Sequence, residues 1–173
     1  MGVTYAQASD AATLEPVELG ERLERLVWAA MPGLEAMSDD DAGYIDAATP
    51  TPTPTKWSAK QVIGHLTDSA INNLSRVVRM ALASGQTFPG YEQDGWVATQ
   101  HYAQRDWPDI LDTWVVLNEQ MAWTVKHLDK AALAHTGDVE GDPLTLGYLI
   151  EDYVAHMAHH LRALAGLPTW VAV

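Results

Sequence analysis

The residues best suited to chemistry in this sequence are histidines near its C-terminal end. The string His156-Met-Ala-His159-His160 holds three imidazoles in a predicted helix. On an α-helix, residues four apart lie about 40° apart around the axis, so His156 and His160 project together. His159 diverges from His160 by about 100° and is not expected to join the pair. This geometry lets two imidazoles reach one metal ion, although a lone pair of this kind is more often two core histidines that hydrogen-bond to another helix.

A third ligand is offered by His65, in an earlier predicted helix. His65 shares one helical row with Ser69, Asn72 and Arg76, at spacings of four, three and four. A hydroxyl, an amide and a guanidinium are groups that orient a small polar ligand, but the same row could equally be a solvated polar face. The other histidines, in or next to loops or near a helix end, are predicted to be solvated; they are His101, His127 and His135.

The composition narrows the kinds of chemistry and of partner. Because there are no cysteines, disulfides and cysteine nucleophiles are impossible, and a metal must be bound by His, Asp or Glu. The net charge of −13, without a basic cluster, argues against nucleic acid and anionic membrane surfaces as partners. No apolar run approaches the ~18 residues that span a bilayer. The first nine residues do not resemble a secretion signal, so we expect a cytoplasmic protein.

Four segments carry the period of amphipathic helices, and none carries a convincing strand pattern. The predicted helices run over about 15–37, 58–84, 106–128 and 143–166. The second has the clearest start, since Ser58 followed by Gln61 matches the Ser-x-x-Gln capping pattern. The fourth ends at Gly166, with Pro168 beyond it, as helices commonly do.

The segments between these helices differ in character. Thr49–Thr55 alternates Thr and Pro, which predicts an extended spacer. The stretch from Thr87 to Arg105 is predicted to include a short helix from Asp94, and the second-to-third connection is long enough to cross a bundle. Thr136–Pro143 is predicted to be an acidic, turn-rich loop.

Four long amphipathic helices without strands predict an all-α fold, with a four-helix bundle as its architecture. The chain of 173 residues fits a single domain over residues 1–173, in which a tail over residues 1–14 is expected to be flexible. A di-iron carboxylate bundle is excluded, because it needs a Glu-x-x-His motif on each of two helices and the sequence contains none.

The strings around the histidines resemble the DinB/YfiT-like superfamily of metal-binding four-helix bundles. The similar stretches are Trp57-Ser-Ala-Lys-Gln-Val-Ile-Gly-His65-Leu, Pro89-Gly-Tyr91-Glu-Gln-Asp94-Gly-Trp96, Trp114 with Asn118, and Leu146 to Leu161 with its late His-x-x-His-His. The resemblance covers about Trp57 to Leu164. A Trp eight residues before the His of Gly-His-Leu, combined with His-x-x-His-His, is fairly specific, although neither half is so alone.

The resemblance implies an up-down-down-up bundle with a long crossover between the second and third helices, often assembled as a homodimer. It also implies one divalent metal ion bound by His65, His156 and His160, whereas His159 matches a position that is usually not a ligand. Imidazole ligands suit zinc, nickel and iron alike, so the identity of the ion is left open.

Superfamily members with known activity include thiol-dependent S-transferases and isomerases, and others are described as metal-dependent hydrolases. The resemblance therefore implies an enzyme that activates a metal-bound thiol or water to act on a small-molecule substrate, with a low-molecular-weight thiol as a candidate partner. The alternative is a stress-associated bundle that binds a metal or ligand without turnover, because no general base is evident in the His65 row. Asn72, Arg76 and Asp94 are candidate substrate-binding residues, and Asp152 could orient a ligand imidazole.

Overall fold

The structure, a computed structural model, describes residues 10–45 and 57–167. In chain order its α-helices and β-strands are α1 (Pro16–Glu35), α2 (Asp39–Gly43), α3 (Ala59–Leu82), β1 (Gln86–Phe88), α4 (Gln93–Thr99), α5 (Trp107–Lys126), β2 (Thr136–Val139), β3 (Asp142–Thr145) and α6 (Leu146–Ala165), with short 3-10 helices at Ala11–Thr13, Tyr102–Gln104 and Lys130–Ala134. The long helices α1, α3, α5 and α6 are the four that the sequence predicts, and α4 is the predicted short helix of the crossover. The predicted spacer at Thr49–Thr55 lies outside the described residues.

The ends of the helices that carry the histidines follow from local chemistry. Ser58 caps α3 as predicted: its side chain accepts from the N–H of Gln61, whose side chain accepts from the N–H of Ser58 at 3.1 Å. Thr145 caps α6 by accepting from the N–H of Tyr148 at 3.2 Å. Gly166 ends α6 with a φ of 61°, in the left-handed region that a residue without Cβ adopts without strain.

Contacts at the helix ends show the directions in which α1, α3 and α5 run relative to one another. The indole N–H of Trp107, at the start of α5, donates at 3.0 Å to the carbonyl of Leu34 at the end of α1, so these helices run antiparallel. Asp39 accepts from the Lys60 ammonium at 2.7 Å and from the N–H of Trp107 at 2.8 Å. These two bonds hold the starts of α3 and α5 at one end of the bundle, so α3 and α5 run parallel.

The last helix completes the bundle. Gly33, near the end of α1, lies against Ala165 at the end of α6, so α1 and α6 run parallel. Both α5 and α6 pack against α1 and α3, which leaves α1 and α3 diagonally opposite each other. The predicted four-helix bundle with up-down-down-up wiring and a long crossover is therefore confirmed.

The apolar stripes of the long helices meet in one core. Its largest fully buried side chains are Trp114, Leu19, Leu23, Leu34, Ile63, Leu66, Met80, Ile110, Met121, Leu133, Leu146 and Ile150. Burial of apolar surface contributes about 25 cal/mol per Å², so this core holds α3 and α6 in register. None of the helices within residues 10–45 and 57–167 has the length and apolar character needed to cross a membrane.

The expectation of a fold without strands is wrong in one place. β1 pairs in parallel with β2, and β2 pairs antiparallel with β3 through a turn at Glu140-Gly141, where both residues have positive φ. The predicted acidic loop is therefore mostly a β-hairpin, and α6 starts at Leu146 rather than near Pro143. Strands of three or four residues that include Gly137 and Pro143 are too short and too rich in turn formers to show an alternating pattern.

Candidate metal centre

Three histidines converge where the first part of α3 faces the last part of α6. His65 lies about two turns into α3, while His156 and His160 lie one turn apart in the second half of α6. The centroids of the three imidazole rings are 4.8 to 5.2 Å apart. The structure thus brings together the three residues that the sequence singles out, and it shows that α3 and α6 are antiparallel neighbours.

The rings face one another through Nε2. Nε2 of His156 lies 3.1 Å from Nε2 of His65 and 3.1 Å from Nε2 of His160. An ion bound at the usual distance of about 2.0–2.1 Å separates neighbouring ligand nitrogens by about 3.3 Å in a tetrahedron and about 2.9 Å in an octahedron. The observed separations fall between these values, so the three residues could hold one metal ion.

Burial keeps these imidazoles neutral. His65 and His160 are 1% and 3% exposed, and His156 is half-buried. Desolvation lowers the pKa of His65 to about 4 and the pKa of His160 to about 3. Desolvation, followed by the neighbouring histidines, also holds the pKa of His156 well below its ordinary value. A neutral imidazole keeps the lone pair that binds a metal ion, so the cluster is suited to a cation at neutral pH.

Buried nitrogen atoms without hydrogen-bond partners also indicate that the histidine cluster is suited to a metal ion. Nδ1 of His65 and Nδ1 of His160 are buried, and no hydrogen bond within residues 10–45 and 57–167 reaches them. If the rings carry their protons on Nδ1, three Nε2 lone pairs point at one another, which is unfavourable unless a cation lies between them. His159 is exposed and lies outside the cluster, as its position on the helix predicts.

An aromatic residue packs directly on the cluster, and others lie in the crossover. Trp57 is 9% exposed and packs on the His65 ring with a centroid distance of 5.1 Å, which explains the spacing of these two residues in the sequence. In the crossover, the rings of Tyr91 and Trp96 lie 5.0 Å apart, and the buried ring of Tyr102 lies against Gly64. The packing of Trp57 removes water from one face of the His65 ring and so contributes to the desolvation that lowers its pKa.

The polar row beside His65 is buried rather than solvated. Ser69 is 3% exposed and Arg76 is 9% exposed. The Arg76 guanidinium donates to the side-chain oxygen of Asn73 at 3.3 Å and to the carbonyl of Pro89 in the crossover at 3.1 Å. Both partners are neutral, and within the described part of the chain no carboxylate forms an ion pair with Arg76. The row therefore places a guanidinium under the crossover whose hydrogen-bond partners are neutral, while the charge of Glu140 acts on it without an ion pair.

The other predicted site residues lie at different depths. Asn72 is half-buried, and its amide donates at 2.8 Å to the carbonyl of Asp68 in its own helix. Asp94 is exposed at the start of α4, and its charge favours the protonated form of His65, which places it near the cluster. Asp152 is half-buried, one turn before His156 on α6.

A buried carboxyl group that the sequence analysis missed lies one turn from His65. Asp68 is 0% exposed, and its Oδ1 accepts from the Tyr102 hydroxyl at 2.7 Å and from the side-chain amide of Gln100. Oδ2 is also buried, and no donor among the described residues reaches it. Burial raises the pKa of Asp68, and the two hydrogen bonds oppose that rise. Its spacing of three from His65 was the available signal.

The three remaining histidines divide into two kinds. His101 and His127 are exposed, as predicted. The prediction for His135 is wrong: the residue is half-buried, and its Nδ1 lies 2.7 Å from the carbonyl of Met80 on α3. Burial follows from the hairpin, which folds the chain back against the end of α3 and was not visible in the sequence.

Fold and site together define a four-helix bundle with a candidate metal centre. Residues 15–164 match the family model of the DinB superfamily, so the chain belongs to this superfamily, as the resemblance indicated. Its structure is similar to that of YfiT from Bacillus subtilis, with a TM-score of 0.79, 19% sequence identity, and coverage of 95% of this chain and 91% of that chain. YfiT is described as a probable metal-dependent hydrolase with an unusual four-helix bundle topology. A search of curated proteins found no match.

Proposed function

We propose that the chain is a metal-dependent enzyme whose one divalent ion is bound by His65, His156 and His160. The observation that carries the proposal is that Nε2 of His156 lies 3.1 Å from Nε2 of His65, on a separate helix, and 3.1 Å from Nε2 of His160, with all three ligand atoms within 4.8 Å of one another. Three protein ligands leave at least one coordination position open, which is typical of catalytic rather than structural ions. Membership of the DinB superfamily and the description of YfiT as a probable metal-dependent hydrolase support the same proposal.

The proposed reaction is S-transfer from a low-molecular-weight thiol, or hydrolysis, on a small substrate. When bound, the ion would lower the pKa of a thiol or a water and so supply a nucleophile near neutral pH. The chain itself keeps the imidazoles neutral by burial and fixes the His65 ring against Trp57. The same burial excludes bulk water, which strengthens each electrostatic interaction with a bound substrate.

Arg76 is the residue that we propose for binding an anionic group of the substrate. Its guanidinium has five N–H donors, and its two hydrogen-bond partners are neutral, so donors remain for a carboxylate or phosphate, while Glu140 offsets part of its charge. Asn72 and Asp94 stay predicted substrate contacts, and Asp152 stays the residue predicted to orient the imidazole of His156. Arg76→Met is expected to raise the KM for an anionic substrate more than it lowers kcat.

Metal analysis tests the proposed site. Purified wild-type protein is expected to retain about one equivalent of zinc, nickel or iron, and the His65→Ala/His156→Ala variant is expected to retain none. His159→Ala is the matched control, because this residue neighbours His160 on α6 but is exposed and outside the cluster. Equal metal contents in the wild type and the double variant would end the proposal. Light scattering on the same samples checks the homodimer that the resemblance implies.

Turnover separates the two reaction classes. The metal-loaded protein is incubated with an electrophile in the presence of several small thiols, and with esters and amides in their absence. Consumption of the electrophile that depends on both the thiol and the metal indicates S-transfer, whereas metal-dependent release of acid without thiol indicates hydrolysis. A protein that binds metal but turns over none of these substrates supports the alternative of a bundle that binds without catalysis.

A further inference from the structure

The fold satisfies only one oxygen of the Asp68 carboxyl group. Oδ1 receives the Tyr102 hydroxyl at 2.7 Å and the Gln100 amide, both from the crossover. Oδ2 is buried in a residue that is 0% exposed, and it has no hydrogen-bond donor within residues 10–45 and 57–167. Because buried polar atoms in native proteins nearly always have a partner, an unsatisfied oxygen beside a candidate active site indicates a place that a ligand completes.

The polar groups around Asp68 are directed elsewhere. Tyr91 lies near enough to Asp68 for their charges to interact, but no hydrogen bond from Tyr91 reaches Oδ2. Arg76 donates to two neutral groups farther along α3. The side-chain amide of Asn72 donates to the backbone carbonyl of Asp68 rather than to its carboxylate. The missing donor is therefore not supplied by these neighbours.

We propose that Asp68 is a substrate-recognition residue, whose Oδ2 accepts a hydrogen bond from an amine or hydroxyl group of the molecule bound at the histidine cluster. This inference rests on the proposed metal site and adds a class of ligand to it. A site that is built to bond an N–H or O–H group discriminates strongly against the analogue that lacks it, because the buried oxygen then stays unpaired. Asp68 thus selects small ligands that carry a donor group.

The position of Asp68 favours a short ligand. Residues three apart on a helix have Cβ atoms about 5–6 Å apart, so the side chains of His65 and Asp68 leave α3 from neighbouring points. Short thiols of equal length, with and without a donor group, are therefore suitable probes. Cysteamine and 2-mercaptoethanol have such a donor, an ammonium and a hydroxyl respectively, and 1-propanethiol has the same length without one.

Binding of these three thiols to the cobalt-loaded protein tests the proposal without turnover. Dissociation constants are read from the sulfur-to-cobalt absorption band, and cobalt content and melting temperature are measured for each protein. The wild type is expected to bind cysteamine or 2-mercaptoethanol at least about tenfold more tightly than 1-propanethiol, as one hydrogen bond to a charged acceptor would give. Whichever of cysteamine and 2-mercaptoethanol binds more tightly shows whether Asp68 prefers an ammonium or a hydroxyl group as the donor.

Two variants separate recognition from support of the crossover. Asp68→Asn keeps an oxygen for Tyr102 and Gln100 but places an amide nitrogen where Oδ2 lies, so the preference is expected to fall to about twofold or less with cobalt content unchanged. Tyr102→Phe removes a crossover contact and leaves Oδ2 in place, so the preference is expected to persist. If Asp68→Asn does not fold, Asp68→Glu replaces it, with a reduced preference as the expected result.

Each other outcome overturns a defined statement. Equal or undetectable binding of the three thiols by the cobalt-loaded wild type overturns the role of Asp68 and leaves the metal site in place. An unchanged preference in the Asp68 variant does the same. Loss of the preference in Tyr102→Phe assigns Asp68 to holding the crossover and overturns recognition. A wild-type protein that takes up no cobalt overturns the proposed metal site, and the inference about Asp68 with it.

Discussion

Gly64 is the position at which a single methyl group tests how the crossover is held on the helix that carries His65. Gly64 directly precedes His65 in α3, and the ring of Tyr102 packs on it so closely that an added Cβ would overlap the ring carbons. Tyr102 is 3% exposed, and its hydroxyl bonds to Asp68 at 2.7 Å. If the Tyr102 ring moved away from α3, its side chain would become exposed and would lose its hydrogen bond to Asp68.

Two opposing effects decide the result of Gly64→Ala. Alanine is favoured over glycine in a helix interior by about 1 kcal/mol. Overpacking of a filled site costs about 1–3 kcal/mol, and loss of the hydrogen bond to the Asp68 carboxyl costs about 1.5–3 kcal/mol. Because the overlap is with a rigid, buried ring, we expect the unfavourable effects to win by about 2 kcal/mol. This lowers the melting temperature by roughly 4–8 °C in a domain of this size.

Urea denaturation of the wild type, Gly64→Ala, Tyr102→Ala and the double variant measures this balance. The three atoms nearest the new methyl group all belong to the Tyr102 ring, so Gly64→Ala should stabilise the Tyr102→Ala protein by up to about 1 kcal/mol. The change of sign corresponds to a coupling energy of about 3 kcal/mol between the two positions. A Gly64→Ala protein as stable as the wild type, or a cycle without coupling, would refute the packing of Tyr102 on α3.

Three further measurements examine other parts of the molecule. Tyr153→Phe removes the hydroxyl that donates to the buried Asn118 side chain at 2.5 Å, so the free energy of unfolding in urea should fall by about 1–3 kcal/mol. Ser58→Ala removes the cap of α3 and should cost about 1 kcal/mol in the same assay, whereas an unchanged midpoint would argue against the capping box. The metal-free protein should lose stability as the pH falls from about 6.5 toward 4, because the unfolded chain binds protons at His65 and His160 with a pKa of about 6.5. Burial lowers these pKa values to about 4 and about 3 in the folded chain, so a His65→Ala/His160→Ala variant should show a flatter dependence, and equal slopes would contradict the shifts.

The helices of this fold were predictable because their signals are local. The apolar period and the capping pattern at Ser58 both act within one or two turns, and the structure places α3 where they indicate. The direction in which each helix runs is set by contacts such as that of Trp107 with Leu34, which no local pattern contains. The wiring was therefore expected from the resemblance to a known superfamily and not from periodicity. The hairpin was missed because pairing between β1 and β2 is also non-local.

The candidate site likewise contains residues that local spacing predicts and residues that only tertiary contacts reveal. His156 and His160 could be paired from their spacing alone, since a helix fixes their relative direction. His65 needed tertiary structure, because its row is polar and is buried only by contacts with other parts of the chain, such as Trp57 on His65 and the crossover on Arg76. Asp68 lies about 60° around the helix from His65, outside the row that periodicity defines. Its environment comes from Tyr102, more than thirty residues later, and this contact could not be read from α3 itself.

The wiring of the bundle is a precondition of the histidine cluster. His65 lies six residues after the start of α3, and His160 lies five residues before the end of α6, so antiparallel helices place them at about the same level. In an up-down-up-down bundle α3 and α6 would run parallel with their starts aligned. The two histidines would then be offset by about 12 Å along the bundle, which side chains do not span.

Because α3 and α5 run parallel in this bundle, the chain between them has to travel the length of the bundle. That connection is the crossover, and it brings Tyr102 and Gln100 to Asp68 and the Pro89 carbonyl to Arg76. One length of chain thus satisfies the wiring and fixes the polar groups beside the cluster. A deletion that shortened the crossover would therefore disturb helix direction and site together.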